Sequence, residues 1–174
     1  MRQRLSQATR LSIVLGFSLV SACSTLGLSK DKTTNASTPV QSEDTVIAAN
    51  ADGQTLGALT ETQLPDRSCG MILWTLDANR PSPVFRFVSG KDAEIVINDV
   101  TINFARVSGA GDSGFGIYQY QEFESETGLR LEVSSEFGAE FDGGSYLEQG
   151  LVKVHAPEGW SIVAPAAGIA GCRS

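Results

Sequence analysis

Histidine, cysteine and positive charge are all scarce in this sequence of 174 residues. The only histidine is His155, which disfavours the zinc sites that need several imidazole ligands. The three cysteines include no Cys-x-x-Cys pair, so a thiolate metal site is also disfavoured. Lysine and arginine number 13 against 20 aspartates and glutamates, for a formal net charge of −7. We expect no nucleic-acid binding, because phosphate contacts need basic patches.

The apolar run near the N-terminus is too short for a transmembrane helix. It occupies residues 11–22 and follows a basic segment that contains Arg2, Arg4 and Arg10. At about 1.5 Å per residue the run spans about 18 Å, whereas a hydrocarbon core is about 30 Å thick. This pattern is typical of a cleaved secretory signal. We therefore expect residues 1–22 to direct export.

The end of this signal resembles the lipobox of bacterial lipoproteins. An aliphatic residue, two small residues and a cysteine follow one another as Val20-Ser21-Ala22-Cys23. The resemblance implies that Cys23 carries a thioether-linked diacylglycerol, that the signal is removed and that the new N-terminus is acylated. Ser24 in the next position implies the periplasmic face of the outer membrane. The alternative is an ordinary signal peptide with an incidental cysteine.

The two remaining cysteines predict one disulfide. If Cys23 is lipidated, Cys69 and Cys172 are left, and an even remainder in an exported protein favours a bridge. In the chain-entropy model, closing so long a loop contributes about 4–5 kcal/mol. A pair of metal-binding thiolates is the alternative.

The mature chain divides by composition into a tether and a domain. Residues 23–67 are expected to form a lipidated, disordered tether, since residues 29–50 are polar and contain no aromatic side chain. Such a composition buries too little apolar surface to offset its ordering entropy. Residues 45–51 and 55–59 are mildly apolar and suit a short strand or a turn. Residues 68–174 are expected to form one disulfide-closed domain.

The domain alternates apolar and polar residues almost throughout, which indicates strands. An all-β fold is predicted, a small antiparallel barrel or barrel-like sandwich of about eight strands. The stretch 165–172 is small and apolar and is expected to pack beside the first strand. The predicted strands cover residues 71–77, 84–89, 93–97, 100–107, 115–123, 129–135, 146–155 and 160–164.

Two motifs that look chemical occur in the glycine-rich residues 109–114. Their Gly-x-Gly-x-x-Gly pattern lacks the following helix that phosphate binding requires. Their Gly-Asp-Ser-Gly pattern suits a serine nucleophile, with His155 as the only base for Ser113. A flexible loop is the simpler interpretation, and we expect no enzyme activity and no cofactor. Oxygen-rich loops can hold Ca²⁺, but a solvated acidic loop is favoured for Glu136, Glu140 and Asp142.

The domain as a whole resembles the membrane-bound inhibitors of c-type lysozyme. The resemblance lies in the lipobox, in Cys69 and Cys172, in the strand count and in the Ser-Gly-Ala-Gly run at residues 108–111. It implies that this loop enters the cleft of a lysozyme. The family's tyrosine after the loop is displaced to Tyr118, and only Arg130 and Lys153 stand for its downstream basic residue. The partner-binding residues implied are Ser108, Gly109, Gly111, Asp112, Ser113 and Gly114.

We therefore expect an outer-membrane lipoprotein with a non-enzymatic binding or structural domain. Its lipid would hold it to the membrane, and its acidic charge favours a cationic envelope partner, such as a lysozyme-like glycosidase. Two alternatives remain at this point. One is a small apolar ligand inside the barrel, and the other is a hydrolase that uses Ser113 and His155.

Overall fold

The computed structural model of the chain describes residues 46–174. The predicted signal, the lipid site at Cys23 and the first part of the tether lie outside the described residues. Within residues 46–174 there is no helix long and apolar enough to cross a bilayer. The strands are β1 (Val46–Ala49), β2 (Thr55–Gly57), β3 (Ser68–Thr75), β4 (Pro83–Val88), β5 (Ala93–Ile97), β6 (Val100–Gly114), β7 (Ile117–Glu124), β8 (Arg130–Phe141), β9 (Gly144–His155) and β10 (Ser161–Arg173).

The strands from β3 to β10 close into an antiparallel barrel. Each strand from β3 to β9 pairs with the next one, and β10 returns to pair with β3. A tight turn connects β5 and β6, with positive φ at Asn98 and Asp99. Closure pairs the two edges that an open sheet would expose. The predicted all-β antiparallel barrel of eight strands is therefore confirmed.

A disulfide closes the barrel at the seam between its first and last strands. Cys69 and Cys172 lie directly opposite each other on β3 and β10. Their sulfurs are bonded across a sequence separation of 103 residues, as predicted. The small apolar stretch at residues 165–172 is part of β10, and it pairs with β3 as expected.

Alternation along the strands fills the inside of the barrel with apolar side chains. Phe85 and Phe87 are both fully buried, and each packs edge-on against Phe123, with ring centroids 5.7 and 5.2 Å apart. Met71 and Leu73 reach the same cluster from the next strand. Burying a side chain of this kind stabilises the fold by about 1.5–3 kcal/mol. This cluster is the principal core of the barrel.

The folded part of the chain begins well before Ser68, inside the segment expected to be a tether. Strand β2 pairs with the end of β5, where Leu56 lies opposite Ile97. Strand β4 pairs only with the beginning of β5, so β2 fills the gap where β4 and β5 separate. Leu56 is fully buried and Leu59 is 6% exposed. The burial of Leu56 and Leu59 was not predicted, because these leucines lie in short apolar stretches of a mostly polar segment.

Arginine side chains hold the next part of this segment against the outside of the barrel. Arg173 donates a hydrogen bond to the carbonyl oxygen of Leu64 at 2.9 Å and forms an ion pair with Asp66 at 2.9 Å. Arg86 donates to the carbonyl oxygen of Gln63 at 3.0 Å and is paired with Glu94. The residues before β3 are therefore attached to the barrel surface.

Candidate functional site

Residues 108–114, expected to form a loop, are the last part of strand β6. Strand β6 pairs with β5 only as far as Phe104, which lies opposite Ala93. From Ala105 onward its partner is β7 alone, and this pairing continues to Gly114. The loop prediction was wrong because glycine and aspartate favour turns locally, whereas pairing with β7 holds them extended. We call residues 108–114 the hairpin tip.

The hairpin tip is an irregular strand. Its pairing with β7 shifts register between Arg106 and Ser108 and again between Ala110 and Ser113. Bulges of this kind bend a strand and redirect its side chains. Phe115 and Gly116, both at positive φ, then form the turn that closes the hairpin.

The hairpin tip is open to solvent. Every residue in it is exposed except Gly114, which is half-buried. Among residues 46–174, no strand pairs with the β5-facing edge of β6 beyond Phe104. The sequence-predicted residues Ser108, Gly109, Gly111, Asp112, Ser113 and Gly114 are therefore brought together in one accessible element.

An outer cleft of about 310 Å³ adjoins the base of the hairpin tip. Ser108, Tyr120, Glu122 and Glu132 contribute to its wall. The Ser108 hydroxyl donates a hydrogen bond to Glu122 Oε2 at 3.1 Å, and the Tyr120 side chain is 53% exposed. The cleft thus joins the tip to an acidic and aromatic surface.

Two basic side chains singled out by the sequence lie on the same outer face. Arg130 is 3.8 Å from Glu122, and Lys153 is 3.8 Å from Glu132. Both pairs are partly exposed, so each contributes about 0–1 kcal/mol to stability. Both cations are therefore engaged with carboxylates of the outer cleft, and Glu122 connects Arg130 to Ser108 at the base of the hairpin tip.

Ser113 and His155 are not brought together. Ser113 lies opposite Tyr118 on β7, whereas His155 lies in the row that contains Arg130 and Glu124. Tyr118 and Glu124 are about 20 Å apart at about 3.3 Å per strand residue. The imidazole of His155 instead lies 3.5 Å from a carboxylate oxygen of Glu132. This arrangement lacks the nucleophile–base contact that a hydrolase needs.

Tyr118 lies at the inner side of the hairpin, next to Arg106. Arg106 was not singled out from the sequence. A Cβ atom at Gly109 would overlap the Tyr118 ring, so glycine allows the ring to lie flat on the strand. The guanidinium of Arg106 is 5.1 Å from the centroid of that ring. The only sequence feature that could have indicated Arg106 is its position as a single basic residue just before the glycine-rich residues 109–114.

The acidic residues considered for Ca²⁺ are spread along β8 and the β8–β9 turn. Glu136 accepts a hydrogen bond from Gln149 at 2.8 Å, while Glu140 and Asp142 are exposed near the β8–β9 turn. Within residues 46–174, no three histidine, cysteine or acidic side chains are grouped so as to hold a metal ion.

The inside of the barrel, considered for an apolar ligand, is occupied by the protein's own side chains. Phe85, Phe87, Phe104 and Phe123 are at most 1% exposed and belong to one continuous core cluster. Small barrels are commonly filled in this way. The accessible surfaces at the hairpin tip and the outer cleft are therefore the better candidates for binding.

Comparison with known proteins gave no relative: no protein-family model, curated protein or solved structure matches this chain.

Proposed function

We propose that this chain is a lipoprotein of the outer membrane whose barrel domain binds a cationic envelope protein through the hairpin tip. Lipid on Cys23 would fix the domain at the periplasmic face. In the specific form of the proposal, the partner is a c-type lysozyme or a similar glycosidase, and binding inhibits it. The domain acts by occupying the partner and carries out no reaction.

The observation that carries this proposal is the geometry of the hairpin tip. Residues 108–114 continue β6 beyond its pairing with β5 and are almost entirely exposed. Strand pairing with β7 gives them a defined shape before any partner arrives. An element already ordered in this way loses less conformational entropy on binding than a mobile loop does.

The charge of the surrounding surface supports a cationic partner. Asp112 is exposed in the tip, and Glu122 and Glu132 line the adjoining outer cleft. The chain as a whole has a net charge of −7. Opposite charge on a partner would accelerate association, most strongly at low ionic strength.

A lysis assay with the purified full chain in mild detergent tests this function. Lysis of bacterial cell walls by a c-type lysozyme is followed by turbidity, at low and at physiological salt. We expect dose-dependent inhibition that weakens as salt rises, because screening reduces long-range attraction.

Two variants locate the inhibitory surface. The tip variant Asp112→Ala/Ser113→Ala removes one acid and one hydroxyl from the hairpin tip. The control variant Glu158→Ala/Ser161→Ala removes the same two groups at the other end of the strands. We expect only the tip variant to lose inhibition, whereas equal loss in both variants, or no inhibition by the unaltered chain, would reject the proposal.

The anchor is tested separately by membrane fractionation and acyl labelling. We expect the unaltered chain to incorporate radioactive palmitate and to sediment with outer membranes. Cys23→Ser is expected to abolish the label. Labelling that persists in Cys23→Ser would refute lipidation at this residue without bearing on the barrel's partner.

A further inference from the structure

Arg106 is held between two aromatic rings near the base of the hairpin tip. Its guanidinium carbon lies 5.0 Å from the ring centroid of Phe87 and 5.1 Å from that of Tyr118. Nη1 of Arg106 donates hydrogen bonds to the carbonyl oxygen of Gly116 at 2.8 Å and to Oε1 of Gln121 at 3.1 Å. Stacking on faces leaves the edge of a planar guanidinium free to donate.

The support beneath Arg106 is buried. Gln121 is 2% exposed, and its amide nitrogen contacts the sulfur of Met71 at 3.3 Å. Because the carboxamide is fixed in the core, it holds the Arg106 side chain in one position. A cation fixed in advance loses little side-chain entropy when it binds a ligand.

The positive charge of Arg106 has no carboxylate partner in the described part of the chain. Every acid–base pair within 4.0 Å among residues 46–174 involves another cation. Both hydrogen bonds of Arg106 in this part of the chain go to neutral oxygens and use Nη1. A guanidinium has five N–H donors, so Nε and Nη2 remain to donate to a ligand.

A pocket of about 190 Å³ lies beside this arginine. Arg106, Ser89, Ser113 and Tyr118 contribute to its lining. The two serine hydroxyls add neutral donors to the charged one. At Gly116 an added Cβ would overlap the Ser89 hydroxyl, so the absence of a side chain there leaves room for that hydroxyl beside the pocket.

We propose that this pocket binds a carboxylate group presented by a peptide, either a chain terminus or an acidic side chain. The planar guanidinium edge matches the two oxygens of a carboxylate, and Ser89 and Ser113 line the same pocket. The pocket is smaller than the roughly 300 Å³ of a typical small-molecule site, which suits a single group. This inference is independent of the proposed inhibition, since a free carboxylate can bind whether or not a lysozyme does.

The charges around the pocket favour a monoanion. Arg106 is the only arginine or lysine in the pocket lining, and the exposed Asp112 lies in the neighbouring tip. A doubly charged phosphate would meet one positive charge and a nearby negative one. A carboxylate carries the single charge that Arg106 can neutralise.

The test follows the Arg106 Nε–H signal by proton–nitrogen NMR of the full chain in detergent. Its assignment comes from the signal that is missing in Arg106→Lys. The probes are N-acetylglycine, which has a terminal carboxylate, and N-acetyl-aspartate α-amide, which has a side-chain carboxylate. N-acetylglycinamide is the matched uncharged probe, and the exposed Arg80 in the β3–β4 turn reports non-specific attraction.

We expect a saturable shift of the Arg106 signal with at least one carboxylate probe and none with the amide. The probe that binds more tightly identifies the source of the group. Arg106→Lys retains the charge but loses the planar fork, so affinity, read from the Tyr118 ring signals, is expected to fall about tenfold or more. Ser89→Ala/Ser113→Ala leaves Arg106 in place and is expected to weaken binding by a smaller factor.

Several results would overturn the carboxylate site. They are an Arg106 shift that does not saturate, a shift equal to that of Arg80, and an equal response to the amide probe. Unchanged affinity in both Arg106→Lys and Ser89→Ala/Ser113→Ala would do the same. Failure here leaves the lysis assay unaffected, and failure of the lysis assay leaves this titration unaffected.

Discussion

The disulfide seam and the hairpin tip show two different uses of β-structure in one barrel. At the seam, β3 and β10 pair over their shared length, and Cys69 is bonded to Cys172. In the hairpin tip, β6 no longer pairs with β5, and its residues are exposed. The seam bonds the first and last strands of the barrel, whereas the side chains of the hairpin tip bury almost no surface.

This difference indicates which residues the fold requires. Inward-facing residues such as Phe123 are fixed by packing, because cavities in a dense core are costly. Asp112 and Ser113 are exposed and make no comparable contribution to the core. The side chains of the hairpin tip are thus free to contact a partner. The comparison predicts that substitutions in the core change stability and that substitutions in the hairpin tip change binding.

Phe123→Ala should have the largest effect on stability. The ring is fully buried and contacts both Phe85 and Phe87. Loss of its contacts and the resulting cavity should lower the free energy of unfolding by about 3–5 kcal/mol, measured by urea denaturation. A loss below about 1 kcal/mol would contradict the assignment of this cluster as the core.

Removing the disulfide should have the next largest effect. Cys69→Ser/Cys172→Ser opens a loop closed across 103 residues and should lower the free energy of unfolding by about 2–5 kcal/mol. The control is the unaltered chain with and without reductant, which should reproduce most of the difference. Equal stability of the oxidised and reduced chains would show that strand pairing alone holds the seam.

Leu56→Ala tests whether the segment before β3 belongs to the folded domain. Leu56 is fully buried on β2, whereas Leu76 is 60% exposed and serves as the matched control. We expect a loss of about 2 kcal/mol for Leu56→Ala and a change within about 0.5 kcal/mol for Leu76→Ala. Similar effects in both variants would restore the boundary at Ser68.

The tip variant Asp112→Ala/Ser113→Ala should have the smallest effect on stability. Both side chains are exposed, and surface substitutions usually change the free energy of unfolding by no more than about 0.5 kcal/mol. Urea denaturation beside Glu158→Ala/Ser161→Ala gives the comparison. A loss above about 2 kcal/mol would mean that the hairpin tip also supports the barrel.

The barrel was predictable from sequence because its strands and turns are specified by residues close together in the chain. Alternation along strands such as β5 fixes which side chains face inward. Asn98 and Asp99 adopt the positive φ that a tight hairpin turn requires. The disulfide followed from the number of cysteines that remain once Cys23 is assigned to the predicted lipid. Burial of Leu56 was not predictable, because it depends on a gap that opens where β4 and β5 separate.

The candidate site was only partly predictable. The residues of the hairpin tip were predicted as one group and lie in one exposed element. Their strand pairing was not predicted, because it depends on contacts with β7 rather than on local preference. The position of Arg106 was missed because it requires Phe87, Tyr118 and Gln121 to meet across three strands. Contacts of this kind arise from strand register, which a single sequence constrains only weakly.

The most direct test of the account is calorimetric titration of a c-type lysozyme into the full chain, the tip variant and the control variant. We predict equal affinity for the unaltered chain and Glu158→Ala/Ser161→Ala, and affinity lower by about tenfold or more for Asp112→Ala/Ser113→Ala, since a few central residues carry most of the binding energy. The same affinity for all three proteins, or no heat of binding to the unaltered chain, would contradict the proposal that the hairpin tip is the lysozyme-binding surface.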